Sequence, residues 1–349
     1  MLERDVLSFI KKYPDKPAPD SEFDSLALRV FRHQFKNNKN YRKFCEIDGK
    51  TIVRVKTWRE IPAMPALGFK ELVLTTFPVK GARRVFRTSG TSGKSSRGAH
   101  FFETLKLYDA AVPGPFRRHL LGDGKKRRFF FLTHSPLEVR DSSLSYMMGV
   151  VNRKFSRPAG LFYVKKDAVL CDKLIRDLSR EKSPVMLLAT AFSFKAFLDY
   201  LRAHKIKLKL PDLSRVMETG GFKGKVREVS KAELYRACSV YLGIPKKYCV
   251  SEYGMTELTS QFYRRATDGF FEGPGWMRTL VLDKATGKEV KNGTPGVLMH
   301  LDLANLGSVA AVLTEDIGRT VDKGFEVLSR AKGSELRGCS LSYEEFIRS

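Results

Sequence analysis

Apolar residues in the first eighty positions recur mostly at helical spacing. Residues 2–12 and 22–37 read as amphipathic helices, the second with Phe23, Leu26, Ala27, Val30, Phe31 and Phe35 on one face. Asp20-Ser21-Glu22 supplies its start signal, and Tyr41 to Cys45 continues as a short helix. Ile61-Pro62-Ala63-Met64-Pro65 breaks the regularity and leads through Phe69-Lys70-Glu71 into a region of different texture. From Arg83 onward, short apolar runs alternate with longer helical stretches. Phe102 to Leu121 predicts a helix interrupted near Pro113-Gly114-Pro115. Arg128 to Thr133 predicts a buried strand that runs into the polar turn Thr133-His134-Ser135-Pro136. Gly160 to Val164 reads as a strand and Ala168 to Arg180 as a helix. Pro184 to Thr190 is the clearest strand, with a helix from Phe194 to His204 behind it. Arg215 to Thr219 gives another strand, closing on Gly220-Gly221 before a helix over Val226 to Leu242.

Strand, loop and helix in repeated order indicate an α/β fold with a largely parallel sheet, whose ligands collect beyond the carboxyl ends of the strands. Beyond about Gly269 the texture is β-rich, with turn signals at Thr286-Gly287 and Asn292-Gly293-Thr294-Pro295-Gly296. The chain thus divides into a helical region (1–82), an α/β region (83–268), a β-rich region (269–329) and a tail (330–349).

Composition excludes several classes. Hydrophobic content of 42% and charged content of 29% over 349 residues describe a soluble globular chain with more than one structural unit. Met1-Leu2-Glu3-Arg4-Asp5 is charged at once and carries no apolar signal core. No uncharged run approaches the ~20 residues a spanning helix requires. The five cysteines are scattered and form no Cys-x-x-Cys, which predicts a reducing, cytoplasmic setting without a disulfide framework or a zinc site. The net charge of +25 is the one extreme value. Basic clusters at Lys125-Lys126-Arg127-Arg128 and along Arg202 to Lys209 come without the signature of a nucleic-acid module, so they read as solvated surface.

The densest chemistry lies in Thr88-Ser89-Gly90-Thr91-Ser92-Gly93-Lys94. Alternating hydroxyls and glycines closed by a lysine can turn N–H groups, hydroxyls and an ammonium into one concavity, which is how loops cradle phosphate. A solvated Ser/Gly loop fits the same composition. The segment is neither a Walker loop, since Thr88 stands where a glycine is required, nor a Gly-x-Gly-x-x-Gly turn. Four later stretches add to it. Glu218-Thr219-Gly220-Gly221 ends a strand in bare backbone against which a flat ring could lie. Ser251-Glu252-Tyr253-Gly254-Met255-Thr256-Glu257 combines aromatic, glycine, hydroxyl and carboxylate. Thr314-Glu315-Asp316-Ile317-Gly318 reads as a tight turn presenting a carboxylate to sugar hydroxyls. Arg330 to Cys339 is a basic turn.

In this order and spacing the motifs resemble those of the adenylate-forming enzymes. Tyr253-Gly254-Met255-Thr256-Glu257 is similar to their Tyr-Gly-x-Thr-Glu motif. Thr314 to Gly318 resembles their Thr-Gly-Asp motif, with Glu315 in place of glycine. Arg330 resembles the arginine of their Gly-Arg hinge, with Ser329 in place of glycine and Lys332 at the hinge position. A closer resemblance, over nearly the whole chain, is to the LuxE-type acyl-protein synthetases, through Ile61 to Lys70, Glu218 to Gly224 and Arg337-Gly338-Cys339-Ser340-Leu341.

That resemblance implies the large N-terminal-type domain of the adenylate-forming fold, with mixed and parallel sheets, a β-rich subdomain and a hinge-like tail, but without a full C-terminal lid. It implies ATP and Mg²⁺ as cofactors, a fatty acid as substrate, and acyl-AMP formation followed by transfer to a cysteine thiol. Thr88, Ser89, Gly90, Thr91, Ser92, Gly93 and Lys94 would hold the β- and γ-phosphates, and Thr256 the α-phosphate. Glu257 would ligate the metal. Gly220, Gly221, Tyr253 and the adjoining Gly254 would flank adenine, with Asp316 and Arg330 on the ribose. His134 stands where the wider family often gates the carboxylate site, although a simple hydrogen-bonded histidine fits equally. Cys339 is the acyl-acceptor candidate, since Arg330, Lys332 and Arg337 would favour its thiolate; a structural cysteine is the alternative. With no lid lysine in this sequence, Lys94, Lys332 or another basic residue would have to balance charge on the reacting phosphate. An acceptor protein (a reductase or an acyl carrier protein) is expected, and no nucleic acid. Transfer to coenzyme A or a carrier protein, and a non-catalytic basic protein that binds nucleic acid or membranes, are the other readings.

Overall fold

The computed structural model describes residues 1–88, 97–220 and 230–330, and these fall into two compact units. The first comprises Met1–Gly114, Met255–Gln261 and the chain from Phe270 onward; the second comprises Pro115–Gly254 and Phe262–Gly269. No helix among the described residues is long and apolar enough to cross a membrane.

The first unit opens with helices Leu2–Lys12, Asp20–Asn37 and Lys39–Ile47. The middle helix buries Phe23, Leu26, Ala27, Val30, Phe31 and Phe35, the face its periodicity predicts. Gln34 is buried on that face too, because its side chain has backbone to satisfy. Its Nε2 donates to the Asn305 carbonyl at 2.8 Å, and its Oε1 accepts from the Ala310 N–H at 3.0 Å. Asn38 ends the helix and caps the next one, accepting from the Tyr41 N–H. These helices therefore grip the 303–310 turn of the same unit. Its main sheet runs Met64–Pro65, Ala311–Val321, Gly296–Asp302, Met277–Leu282, with Gly324–Arg330 also paired to Ala311–Val321. A separate antiparallel pair, Arg84–Arg87 with Ala99–Phe102, carries the base of the 88–98 loop.

The second unit is built on a six-stranded sheet in the order Phe262–Arg265, Cys249–Tyr253, Arg215–Thr219, Val185–Thr190, Arg128–Leu132, Leu161–Phe162. All neighbours are parallel except the Phe262–Arg265 edge. Val185 to Ala189 and Phe129 to Leu132 are buried throughout, as expected for parallel strands covered on both faces. Helices Ala191–Ala203 and Lys231–Leu242 pack Phe194, Phe197, Leu198, Leu234 and Cys238 into that core. Thr190 and Ser230 start them with reciprocal capping bonds.

Three expectations change, and one helix is added. The segment expected to be helical from Phe102 opens with the strand Ala99–Phe102, and its helices are Lys106–Ala111 and Pro113–Leu120. Ala168 and Val169 form a short strand paired with Val164–Lys165, so that helix starts only at Cys171. Ser143–Phe155 is a helix that the periodicity does not announce. Asp316 lies within the long strand Ala311–Val321 and not on a turn, because backbone pairing to Gly324–Arg330 overrides the turn preference of Asp and Gly. Cys45, Cys171, Cys238 and Cys249 are free thiols, and Cys249 is core.

Candidate active site

In the second unit, Gly220 and Tyr253 stand at the carboxyl ends of adjacent parallel strands, in register through Thr219 and Glu252. This is where open α/β sheets collect ligands. Gly220 has φ +77, a left-handed backbone conformation that favours glycine. Tyr253 is half-buried and tilted against Phe262. Behind these two residues lies a polar cluster that motif reading does not reveal. Glu218 and Glu252 are both buried; Glu218 accepts from Tyr235 Oη at 2.7 Å and pairs with Lys231. Glu252 accepts from the Thr219 hydroxyl. Burial lifts the Glu252 carboxyl to about 7, with Glu218 adding to the rise and the Thr219 bond opposing it. The cluster ties the two strand ends together. In the same unit His134 follows the Arg128–Leu132 strand, and its Nε2 lies 3.5 Å from the exposed Asp167 carboxylate.

In the first unit, Thr88 closes the base of its loop. Its N–H donates to the Gly98 carbonyl at 2.9 Å and its hydroxyl accepts from the Gly98 N–H at 2.8 Å. Thr256 and Glu257 are held by separate partners. The Thr256 carbonyl lies 2.8 Å from His100 Nδ1, and the Glu257 carbonyl accepts from Asn305 Nδ2 at 2.9 Å. The residues just beyond are fixed by the buried Asp302, whose carboxylate accepts from the N–H groups of Thr259 and Ser260 and from the Ser260 hydroxyl. The Thr256–Glu257 backbone is thus anchored on both sides before any ligand arrives.

Glu257 is buried, and burial raises its carboxyl to about 7; the Lys70 and Arg330 charges oppose the rise while Glu315 adds to it. Asp316 and Arg330 are direct neighbours on paired strands. The Arg330 guanidinium also binds the Glu315 carboxylate, through Nε at 3.2 Å and through Nη2. Glu315, which replaces the motif's glycine, therefore supplies the ion-pair partner of Arg330. Among the described residues, no group of three or more His, Cys, Asp or Glu side chains could hold a metal ion by itself. Ser89 to Lys94, Gly221, Lys332, Arg337 and Cys339 lie outside the described residues. His100, Asp302 and Asn305 are residues that the motifs leave out; each is distant in sequence from what it supports.

Residues 18–347 match the family model described as acyl-protein synthetase, LuxE. The chain belongs to the LuxE acyl-protein synthetase family. It is 23% identical over 343 residues to a long-chain-fatty-acid–luciferin-component ligase of Aliivibrio fischeri, covering 93% of this chain and 88% of that one. To the ligase of the same name from Vibrio harveyi it is 21% identical over 334 residues, covering 92% and 86%. Among solved structures it is similar to 2-hydroxyisobutyryl-CoA ligase with 2-HIB-AMP, at TM-score 0.69 and 14% identity over 90% of this chain and 69% of that one. ATP-bound MatB from Rhodopseudomonas palustris gives TM-score 0.52 at 14% identity, covering 73% and 49%. These likenesses establish for this LuxE-family chain the α/β fold of adenylate-forming ligases.

Proposed function

We propose that this chain activates a long-chain fatty acid with ATP and passes the acyl group to a protein thiol. In the first step a fatty-acid carboxylate oxygen attacks the α-phosphorus, and the bond to the β-phosphate breaks with its electron pair leaving on pyrophosphate. In the second, a thiolate attacks the acyl carbonyl and AMP departs. The observation that carries this reading is the pre-anchored Thr256–Glu257 segment. A hydroxyl and a buried carboxylate stand together there, in a chain of the LuxE family whose relatives are named as fatty-acid ligases.

Glu257 suits one arm of a Mg²⁺ site. It is a hard oxygen donor whose carboxyl is held near neutrality by burial, and a cation bound with nucleotide phosphates would restore its charge. When bound, Mg²⁺ would neutralise phosphate charge. Thr256 would donate to the α-phosphate, and the Thr88–Lys94 loop would hold the β- and γ-phosphates. Gly220, Gly221, Tyr253 and Gly254 would take the base, and Asp316 with Arg330 the ribose. His134 would border the fatty-acid carboxylate, and Cys339 would accept the acyl group before a partner protein takes it.

Purified protein with ATP, Mg²⁺ and fatty acids of several chain lengths should exchange labelled pyrophosphate into ATP. Glu257→Ala and Lys94→Ala should each abolish the exchange. Absence of exchange in the wild-type protein at every chain length would overturn the proposal.

A further inference from the structure

A second cation is set beside the phosphate chemistry by packing. Lys70 sits in the short helix Gly68–Glu71, immediately after the strand Met64–Pro65. That strand pairs with Val312 and Leu313, and the Ala66 N–H donates to the Leu313 carbonyl at 2.9 Å. The start of the helix is therefore fixed to the strand that carries Thr314 to Asp316. Its rotation is set by Phe69, which is buried edge-on against His100, the residue that holds the Thr256 carbonyl. With Phe69 turned inward, the stem of Lys70 lies along the base of the 88–98 loop. A Cβ added to Gly98 would fall 3.3 Å from Lys70 Cγ and 3.0 Å from Thr88 Cγ2, so the glycine leaves room for the lysine stem. The Lys70 charge also opposes the rise of the Glu257 carboxyl. One short helix thus runs the lysine stem along the loop base, in the same unit as the carboxylate assigned to the metal.

We propose that the Lys70 ammonium contacts the pyrophosphate oxygens of the nucleotide and balances the charge that collects there as the bond between the α- and β-phosphates breaks. The inference rests on the adenylation reading. It assigns to a residue of the N-terminal region electrostatic work on the leaving group. Lys70 transfers no proton: the electron pair of the breaking bond goes to pyrophosphate, and the ammonium lowers the energy of that charge.

The test separates the two half-reactions. Lys70→Met and Lys70→Arg are compared with wild type in pyrophosphate exchange, and in acyl transfer from supplied acyl-AMP, which involves no pyrophosphate. Lys70→Met should slow exchange by about 100-fold or more, the scale for loss of one preorganised charge-stabilising donor. It should raise the KM for pyrophosphate, leave transfer from acyl-AMP at the wild-type rate, and be partly rescued in Lys70→Arg. Wild-type exchange with a Lys70→Met protein equally active would remove Lys70 from the step and leave adenylation standing. Equal loss in both half-reactions would show a merely structural lysine. A wild-type protein without exchange would instead overturn the adenylation reading itself.

Discussion

Asn305 donates its side-chain amide to the carbonyl of Glu257 at 2.9 Å, and through the same Nδ2 to that of Val309 at 2.7 Å. Its own carbonyl accepts from Gln34, so a single asparagine joins the N-terminal helices to the backbone of Glu257. Asn305→Ala would leave two buried carbonyls without that donor. Each orphaned group costs about 1–3 kcal/mol. Urea unfolding should show a loss in that range or above it. Exchange activity should fall further than the fraction unfolded explains, because Glu257 loses its anchor. Full activity per folded molecule would refute the anchoring role.

A pH effect follows from Glu257. Its carboxyl moves from the ordinary 4.5 up to about 7, chiefly through burial. Between those values the folded chain keeps a proton that the unfolded chain releases, so the contribution of this group to stability falls as pH rises through the window and is level above it. Glu252, also near 7, and Asp302, near 6, act in the same direction. The buried His100, pushed down to about 4, acts oppositely, since only the unfolded chain takes up its proton there. Glu257→Gln isolates one member of this set. Its stability relative to wild type should increase from about pH 5 to about pH 7 and then stop changing. Calorimetry in two buffers at about pH 6 should further show Mg²⁺–ATP releasing up to about one proton from the wild type, and less from Glu257→Gln. Equal release by the two proteins would mean that Glu257 stays protonated in the complex.

Residues such as these mark the limit of what the sequence discloses. Arg215–Thr219 was legible to the residue because its apolar run is closed by glycine, and the helix Asp20–Asn37 was legible from residue 22 onward because its buried face repeats cleanly. The helix Ser143–Phe155 was not, since Met147 to Val151 are buried in succession and erase the 3.6-residue period. Asp316 misled for another reason: local turn preference lost to pairing with a distant strand. The Thr256–Glu257 motif could be read directly, but its supports could not. His100 and Asn305 reach it across separations of 156 and 48 residues, and Asp302 holds the adjoining Thr259 across 43, a proximity that only packing creates.

Arg127 is fully buried and bound to Asp123 through both Nη atoms, and Arg215 shares the same carboxylate at 2.7 Å. The two guanidinium groups, that of Arg127 above all, hold the Asp123 carboxyl well below the usual range. Asp123→Asn would leave Arg127 buried without its counter-charge. Breaking a buried pair from one side costs about 3–5 kcal/mol, so urea unfolding at neutral pH should show a deficit of that order. A depressed carboxyl stabilises above its unfolded value and loses that contribution as pH falls toward its folded one. The deficit should therefore shrink in acid. A deficit that did not change with pH would mean that the substitution acts through packing.

The proposed acceptor thiol separates the two half-reactions from the other end. Cys339 stands in Arg337-Gly338-Cys339-Ser340, whose basic residues would favour a thiolate. The other four cysteines compete poorly for the role. Burial pushes the Cys45 thiol beyond the usual range and raises that of Cys171, while Cys238 and Cys249 are enclosed in the core. A thiol must ionise to attack the acyl carbonyl, so burial without a nearby cation works against nucleophilicity. Cys339→Ser should retain pyrophosphate exchange at the wild-type rate. It should also fail to keep a labelled acyl group that hydroxylamine releases from the wild-type protein. Label that persists on Cys339→Ser as a thioester would move the acceptor to another cysteine. Loss of exchange together with label would instead place Cys339 in the first half-reaction.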